Sequence, residues 1–135
     1  SAERRMPEEI GITCKMNYVN KFEYHVPYKN VGSENEVCGT LLGVVDNFKE
    51  SSLIKNEISA IRWISPDELK EELENNVDIY CPWMIIALYY LSDCESETKT
   101  KFSSMISDWI KEELMQKYEK AIKHYIPDNN WRLVN

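Results

Sequence analysis

Two glutamates, Glu34 and Glu36 in the stretch SENEV at positions 33–37, stand two residues apart at the head of an apolar run. In a β-strand, residues i and i+2 point to one face at a separation of about 6–7 Å. The pair therefore projects together, toward the side that also takes Cys38, Thr40, Leu42 and Val44. If that side is the interior, two unpaired carboxylates there cost on the order of several kcal/mol in lost hydration. A divalent cation removes the conflict, because hard metals take carboxylate oxygens. The alternative places both acids in the preceding loop, in solvent, where they need no partner.

A second group lies in RRMPEEIG at 4–11. On a helix Arg5 and Glu9 are neighbours at i, i+4, worth a few tenths of a kcal/mol when exposed. They form either an ordinary charged surface or a working pair. In the second case Glu9 is a metal ligand and Arg5 grips a phosphate with its bidentate fork. The third group is aromatic. Tyr24, in KFEYHV at 21–26, shares a strand face with Phe22 and Val26, while His25 faces the other way. Trp83 follows Pro82 at the start of a helix. Taken singly, Tyr24 and Trp83 read as core residues as readily as functional ones.

The elements that must position these residues are legible from pattern. SAERRMPEEIG reads as a short opening helix ending near Gly11, with nothing before it in the sequence to pack against, as in a fragment. MNYVNKFEYHV and NEVCGTLLGVV read as strands, separated by a turn-rich stretch, and EISAIRWIS at 57–65 as a third. SPDELKEELENN opens a helix with Ser65 as N-cap, Pro66 at the first helical position and Glu68 completing a capping box. PWMIIALYYL starts another helix at Pro82. A final long helix near 99–126 carries Phe102, Met105, Ile106, Trp109, Ile110, Leu114, Tyr118, Ala121, Ile122 and Tyr125 at steps of three and four, a packing face. The order predicts an α+β or α/β layered domain.

The totals bound the function. A chain of 135 residues with 43% hydrophobic content forms one domain with a real core. A net charge of −7 argues against nucleic-acid binding, which rests on cations neutralising phosphates. Four cysteines without CxxC spacing, and no apolar stretch long enough to span a bilayer, point to a reduced cytoplasmic setting away from membranes.

In order and interval, RRMPEEIGI at 4–12, KFEYHV at 21–26, ENEVC at 34–38, NEISAIRWISPDEL at 56–69 and CPWMIIA at 81–87 resemble the type I isopentenyl-diphosphate isomerases, a branch of the Nudix superfamily. The resemblance covers residues 1 to about 95 and leaves 96–135 as a helical extension. It implies a Nudix-like α/β/α layered domain without its N-terminal strands. Nudix hydrolases carry R-E-U-x-E-E-x-G-U, with U bulky and apolar; here Arg5 replaces the first acid, as in the isomerases.

What the resemblance implies is chemical. Isopentenyl and dimethylallyl diphosphate interconvert by protonation of an alkene carbon and loss of a proton from a neighbouring one, by way of a tertiary carbocation. Glu36 is then a metal-bound acid–base residue, Glu34 a ligand of the same Mn²⁺ or Zn²⁺, and Tyr24 the nearby tyrosine. Trp83 turns its π face to the cation. Glu9 holds Mg²⁺ that bridges to the substrate diphosphate, and Arg5 contacts that diphosphate. The family's catalytic cysteine and the histidines of its metal site lie in a segment before the opening helix and have no match here. Cys38, His25 and His124 do not fall at those positions. The expectation is an isomerase parent, with these 135 residues alone inactive. The rival expectations are a Nudix hydrolase of a nucleoside diphosphate derivative and a noncatalytic Nudix-like interaction module.

Overall fold

A computed structural model of the chain describes residues 16–28, 32–43, 62–92, 106–109 and 111–134. The chain divides into two compact units, one of Ser1–Tyr18 with Leu41–Trp63, the other of Val19–Thr40 with Ile64–Asn135. The first is described only at residues 16–18, 41–43 and 62–63; the second holds nearly all of the described residues. The expected opening helix, with Arg5 and Glu9, lies outside the described residues.

Strands β1 (Met16–Tyr28) and β2 (Gly32–Gly43) form where the alternating, aromatic and β-branched runs predict them. They join β3 (Trp131–Val134) in a three-stranded sheet of order β2-β1-β3. β3 runs antiparallel to β1, with Phe22 opposite Leu133, Glu23 opposite Arg132 and Tyr24 opposite Trp131. The strand expected at 57–65 is corrected where it is described. Arg62–Ser65 belongs to no strand, and β1 takes its further partner from the C-terminal end of the chain. Ser65 is committed elsewhere: its hydroxyl accepts the Glu68 amide N–H at 3.2 Å and donates to Glu68 Oε1 at 3.1 Å. With Pro66 at the first helical position, this cap starts α1 (Pro66–Asn75) as the sequence predicts.

Helix α2 (Pro82–Ser92) also begins at its proline. The single helix expected over 99–126 is broken. A short 3₁₀ turn covers Ser107–Trp109, Lys111 is extended at φ −76° and ψ 146°, and α3 runs from Glu112 to Tyr125. The three-and-four spacing ran across the break because Ile106 before it and Leu114 after it are both buried. Acids Glu112 and Glu113 in the first turn and Lys123 and His124 in the last suit the helix dipole.

One hydrophobic cluster unites the second unit. Phe22, Tyr24 and Val26 from β1 meet Leu69 and Leu73 of α1, Ile85 and Ile86 of α2, and Leu114, Tyr118 and Ile122 of α3. The architecture is α+β: a small antiparallel sheet with helices packed against it. The stretch after residue 96 contributes both a helix and a strand to this unit.

Candidate functional site

Alternation along β1 sends Phe22, Tyr24 and Val26 into the core and leaves Glu23 and His25 half-buried on the other face. Tyr24 is 1% exposed, yet its hydroxyl reaches the neighbouring strand and donates to Glu36 Oε2 at 3.2 Å. That distance is long for an O–H···O bond, whose usual value is about 2.7–2.8 Å. Two of the residues singled out from sequence thus meet. A buried phenol aimed at a carboxylate restricts the carboxylate's orientation.

Along β2 the face of Glu36 continues through Cys38 and Thr40, both half-buried, whereas Asn35, Val37 and Leu41 are exposed. The parity expected from the sequence holds. Glu36 itself is exposed, so the expectation that burial forces a cation upon it is corrected: β2 is an edge strand of this sheet, and water can solvate the carboxylate. Glu34 is two residues away on the same strand and parity.

Paired carboxylates are hard oxygen donors of the kind Mg²⁺ and Mn²⁺ take, and Glu36 keeps acceptor capacity beyond the Tyr24 bond. The donor chemistry therefore fits a divalent cation. Among the described residues no three His, Cys, Asp or Glu side chains converge on a common point. Trp83 occupies the first turn of α2 and is 44% exposed. Among the described residues, the rings of Phe22 and Trp83 differ: the first meets Tyr24, at 6.2 Å between centroids, and the second does not.

Sequence reasoning missed the C-terminal contribution. Trp131 stands directly across from Tyr24, and its indole meets Tyr89 and Tyr90 at centroid distances of 5.1 and 5.5 Å. The signal was present: PDNN at 127–130 is a turn sequence, followed by the strand-forming WRLV.

With this site in view, comparison with known proteins gives one class. The chain is 33% identical over 93 residues to the isopentenyl-diphosphate Delta-isomerase of Ruegeria pomeroyi, covering 68% of this chain and 52% of that protein. It is 30% identical over 95 residues to the enzyme of that name from Haloarcula marismortui, covering 65% and 49%. With isopentenyl-diphosphate Delta-isomerase 2 of Photorhabdus laumondii the identity is 31% over 83 residues, covering 62% and 46%. The resemblance read from the sequence is borne out: the chain is similar to proteins named isopentenyl-diphosphate Delta-isomerase. It spans about half the length of these curated relatives. No family model matches the chain, and no solved structure matches it. Among the described residues no helix is long and apolar enough to cross a membrane.

Proposed function

We propose that the protein to which this chain belongs interconverts isopentenyl and dimethylallyl diphosphate, and that β1 and β2 carry one side of the proton transfer. The observation that supports this reading most directly is the Tyr24–Glu36 hydrogen bond. Allylic isomerisation of this kind needs a proton delivered to one alkene carbon and another taken from the far side of the cationic centre, with no net change in atoms. Glu36 is suited to one of these transfers. Its carboxylate is exposed to an incoming ligand, and the Tyr24 hydroxyl holds it in place and spreads its charge. The opposing acid–base group is assigned to none of the described residues.

Glu34 and Glu36 are the proposed ligands of Mn²⁺ or Zn²⁺, with Glu9 holding Mg²⁺ and Arg5 contacting the substrate diphosphate. When bound, such ions neutralise phosphate charge and polarise the groups they touch. Trp83, exposed at the start of α2, offers a π face to a carbocation. The finer fold in this reading is the layered Nudix arrangement. The partner is a small isoprenoid diphosphate, and the setting is the cytoplasm.

The test is incubation of the full-length protein with isopentenyl diphosphate and Mg²⁺. Dimethylallyl diphosphate is the expected product. Release of phosphate or pyrophosphate without it overturns the reading in favour of hydrolysis.

A further inference from the structure

A cleft opens along β1 beside Tyr24, which lines it together with residues of β2 and β3. Its cavity volume is about 410 Å³, within the roughly 300–1,000 Å³ of small-molecule sites. Strand parity brings its polar lining together. Glu23 and His25 share one face of β1, Arg132 stands across from Glu23, and Asn35 has the parity opposite to Glu36. The turn into β3 supplies Asn129 and Asn130.

This turn is held rigidly. The Asn129 amide donates to the Ile126 carbonyl at 3.1 Å and the Trp131 amide to the Asn129 carbonyl at 2.9 Å. The His25 amide donates to the Asn130 carbonyl at 2.8 Å, tying the turn to β1. Asn129 takes φ 58°, a left-handed conformation that asparagine tolerates better than most residues. With their backbones so fixed, the carboxamides of Asn35, Asn129 and Asn130 and the His25 imidazole have no hydrogen-bond partner among the described residues.

The balance of charge selects the ligand. Glu23 and Arg132 are paired through Arg132 Nε and Glu23 Oε1, so the cleft's formal charges cancel. An anion meets the Glu23 carboxylate, and a cation meets the guanidinium. The three carboxamides each offer donors and acceptors in one plane, and imidazole offers one of each when neutral. Groups of this kind match a partner whose every polar group both donates and accepts. We propose that the cleft binds a neutral ring bearing vicinal hydroxyls, either a free sugar or the ribose of a nucleoside, with Asn35, Asn130 and His25 as its hydrogen-bonding residues.

Tyr24 both lines the cleft and bonds Glu36, so the test reads binding directly and does not depend on isomerase activity. The test is a titration of the ¹⁵N-labelled protein with glucose, with adenosine and, as a control, with inorganic phosphate. Expected are shifts of the side-chain amides of Asn35 and Asn130 and of the Trp131 indole N–H with one or both hydroxylated probes. The dissociation constant expected of so open a site is on the order of 1 mM. Shifts with adenosine alone identify the nucleoside as the source; shifts with both identify the sugar ring. The double substitution Asn35→Ala with Asn130→Ala removes two hydrogen bonds and is expected to weaken binding about tenfold or more. An unshifted backbone spectrum away from the cleft shows that this variant folds. Shifts with phosphate only, no shift near saturation of the probes, or unchanged binding by the double variant each overturn the proposal.

Discussion

The helical side of the cluster and the sheet that carries Tyr24 and Glu36 solve different problems. Between α2 and α3, Ile85, Ile86 and Ile122 are fully buried, and the polar atoms that enter are answered. The Tyr125 hydroxyl lies within reach of the Val77 carbonyl at 2.9 Å and also of that of Tyr80, and Tyr118 donates to the Trp109 carbonyl at 3.4 Å. On the sheet side, Asn20 Oδ1, Thr40 Oγ1 and Trp131 Nε1 are buried without hydrogen-bond partners among the described residues, and a buried phenol reaches out to an exposed acid. Unanswered polar atoms are costly to bury. The comparison teaches that the helices bury apolar surface with their polar atoms paired, while the sheet brings a buried hydroxyl to an exposed carboxylate.

The largest effect that separates the two regions is expected at Glu36. Glu36→Gln keeps the size of the side chain and loses the charge and the basic oxygen. In the full-length protein, turnover of isopentenyl diphosphate falls by at least about 100-fold, the scale of a lost acid–base group. Helix and sheet signals in circular dichroism remain as they were. If those signals are lost with activity, Glu36 is structural and the division fails. The reverse experiment is Ile122→Ala, which empties space at a fully buried site on α3. Its expected cost is about 2–5 kcal/mol in urea denaturation. A cost near zero means the helical side does not carry the fold.

The same division explains how much could be read in advance. Elements with local signals were legible: the Ser65-Pro66-Glu68 cap, Pro82 at the head of α2, and the alternation that sends Tyr24 inward and His25 outward. What failed depends on partners distant in sequence. Nothing near WRLV announces that β1, more than a hundred residues earlier, is its partner, and a four-residue strand carries little pattern of its own. The break at Lys111 was invisible because both sides of it bury the same kind of residue. At the candidate site, the shared parity of Glu34 and Glu36 could be read from spacing, but the solvation of Glu36 could not. Solvation depends on the strand order, which leaves β2 at the edge of this sheet.

A third expected effect concerns pH. Burial raises the Tyr118 hydroxyl well above its ordinary value of 10.0. Tyr125 is raised as well, by burial first and then by Asp78 and Cys81. A folded-state value above the unfolded one favours the neutral phenol in the folded chain. Stability is therefore fully present below pH 10 and declines as pH rises past it. Tyr118→Phe removes one titrating group and is expected to flatten that alkaline decline, with a loss of about 0.5–1.5 kcal/mol at neutral pH for the missing hydrogen bond. Equal alkaline slopes in the two proteins contradict the assignment. A smaller effect is expected from Trp83→Phe, which retains a weaker π face. Turnover slows roughly fivefold, about 1 kcal/mol of barrier. An unchanged rate removes Trp83 from the mechanism.

The smallest effect is expected where charge is most abundant. Lys70 Nζ lies 2.6 Å from Glu113 Oε2, joining α1 to α3, with the two side chains 39% and 78% exposed. The hydrogen bond from Lys70, and then its charge, hold the Glu113 carboxyl below its ordinary value, while Lys70 is raised by the same contact. For Glu113 the sign is opposite to that of the tyrosines. Its contribution is present above the ordinary carboxylate range and is lost as pH falls through its lowered value. Water surrounds both partners, so the attraction is screened over about 8–10 Å at physiological salt. Glu113→Gln should therefore move the thermal midpoint far less than Ile122→Ala does, and the shift should shrink as salt is added. A midpoint loss rivalling that of Ile122→Ala, persisting in high salt, means that the helices are joined by charge rather than by the buried isoleucines, and the contrast between the two regions must be redrawn.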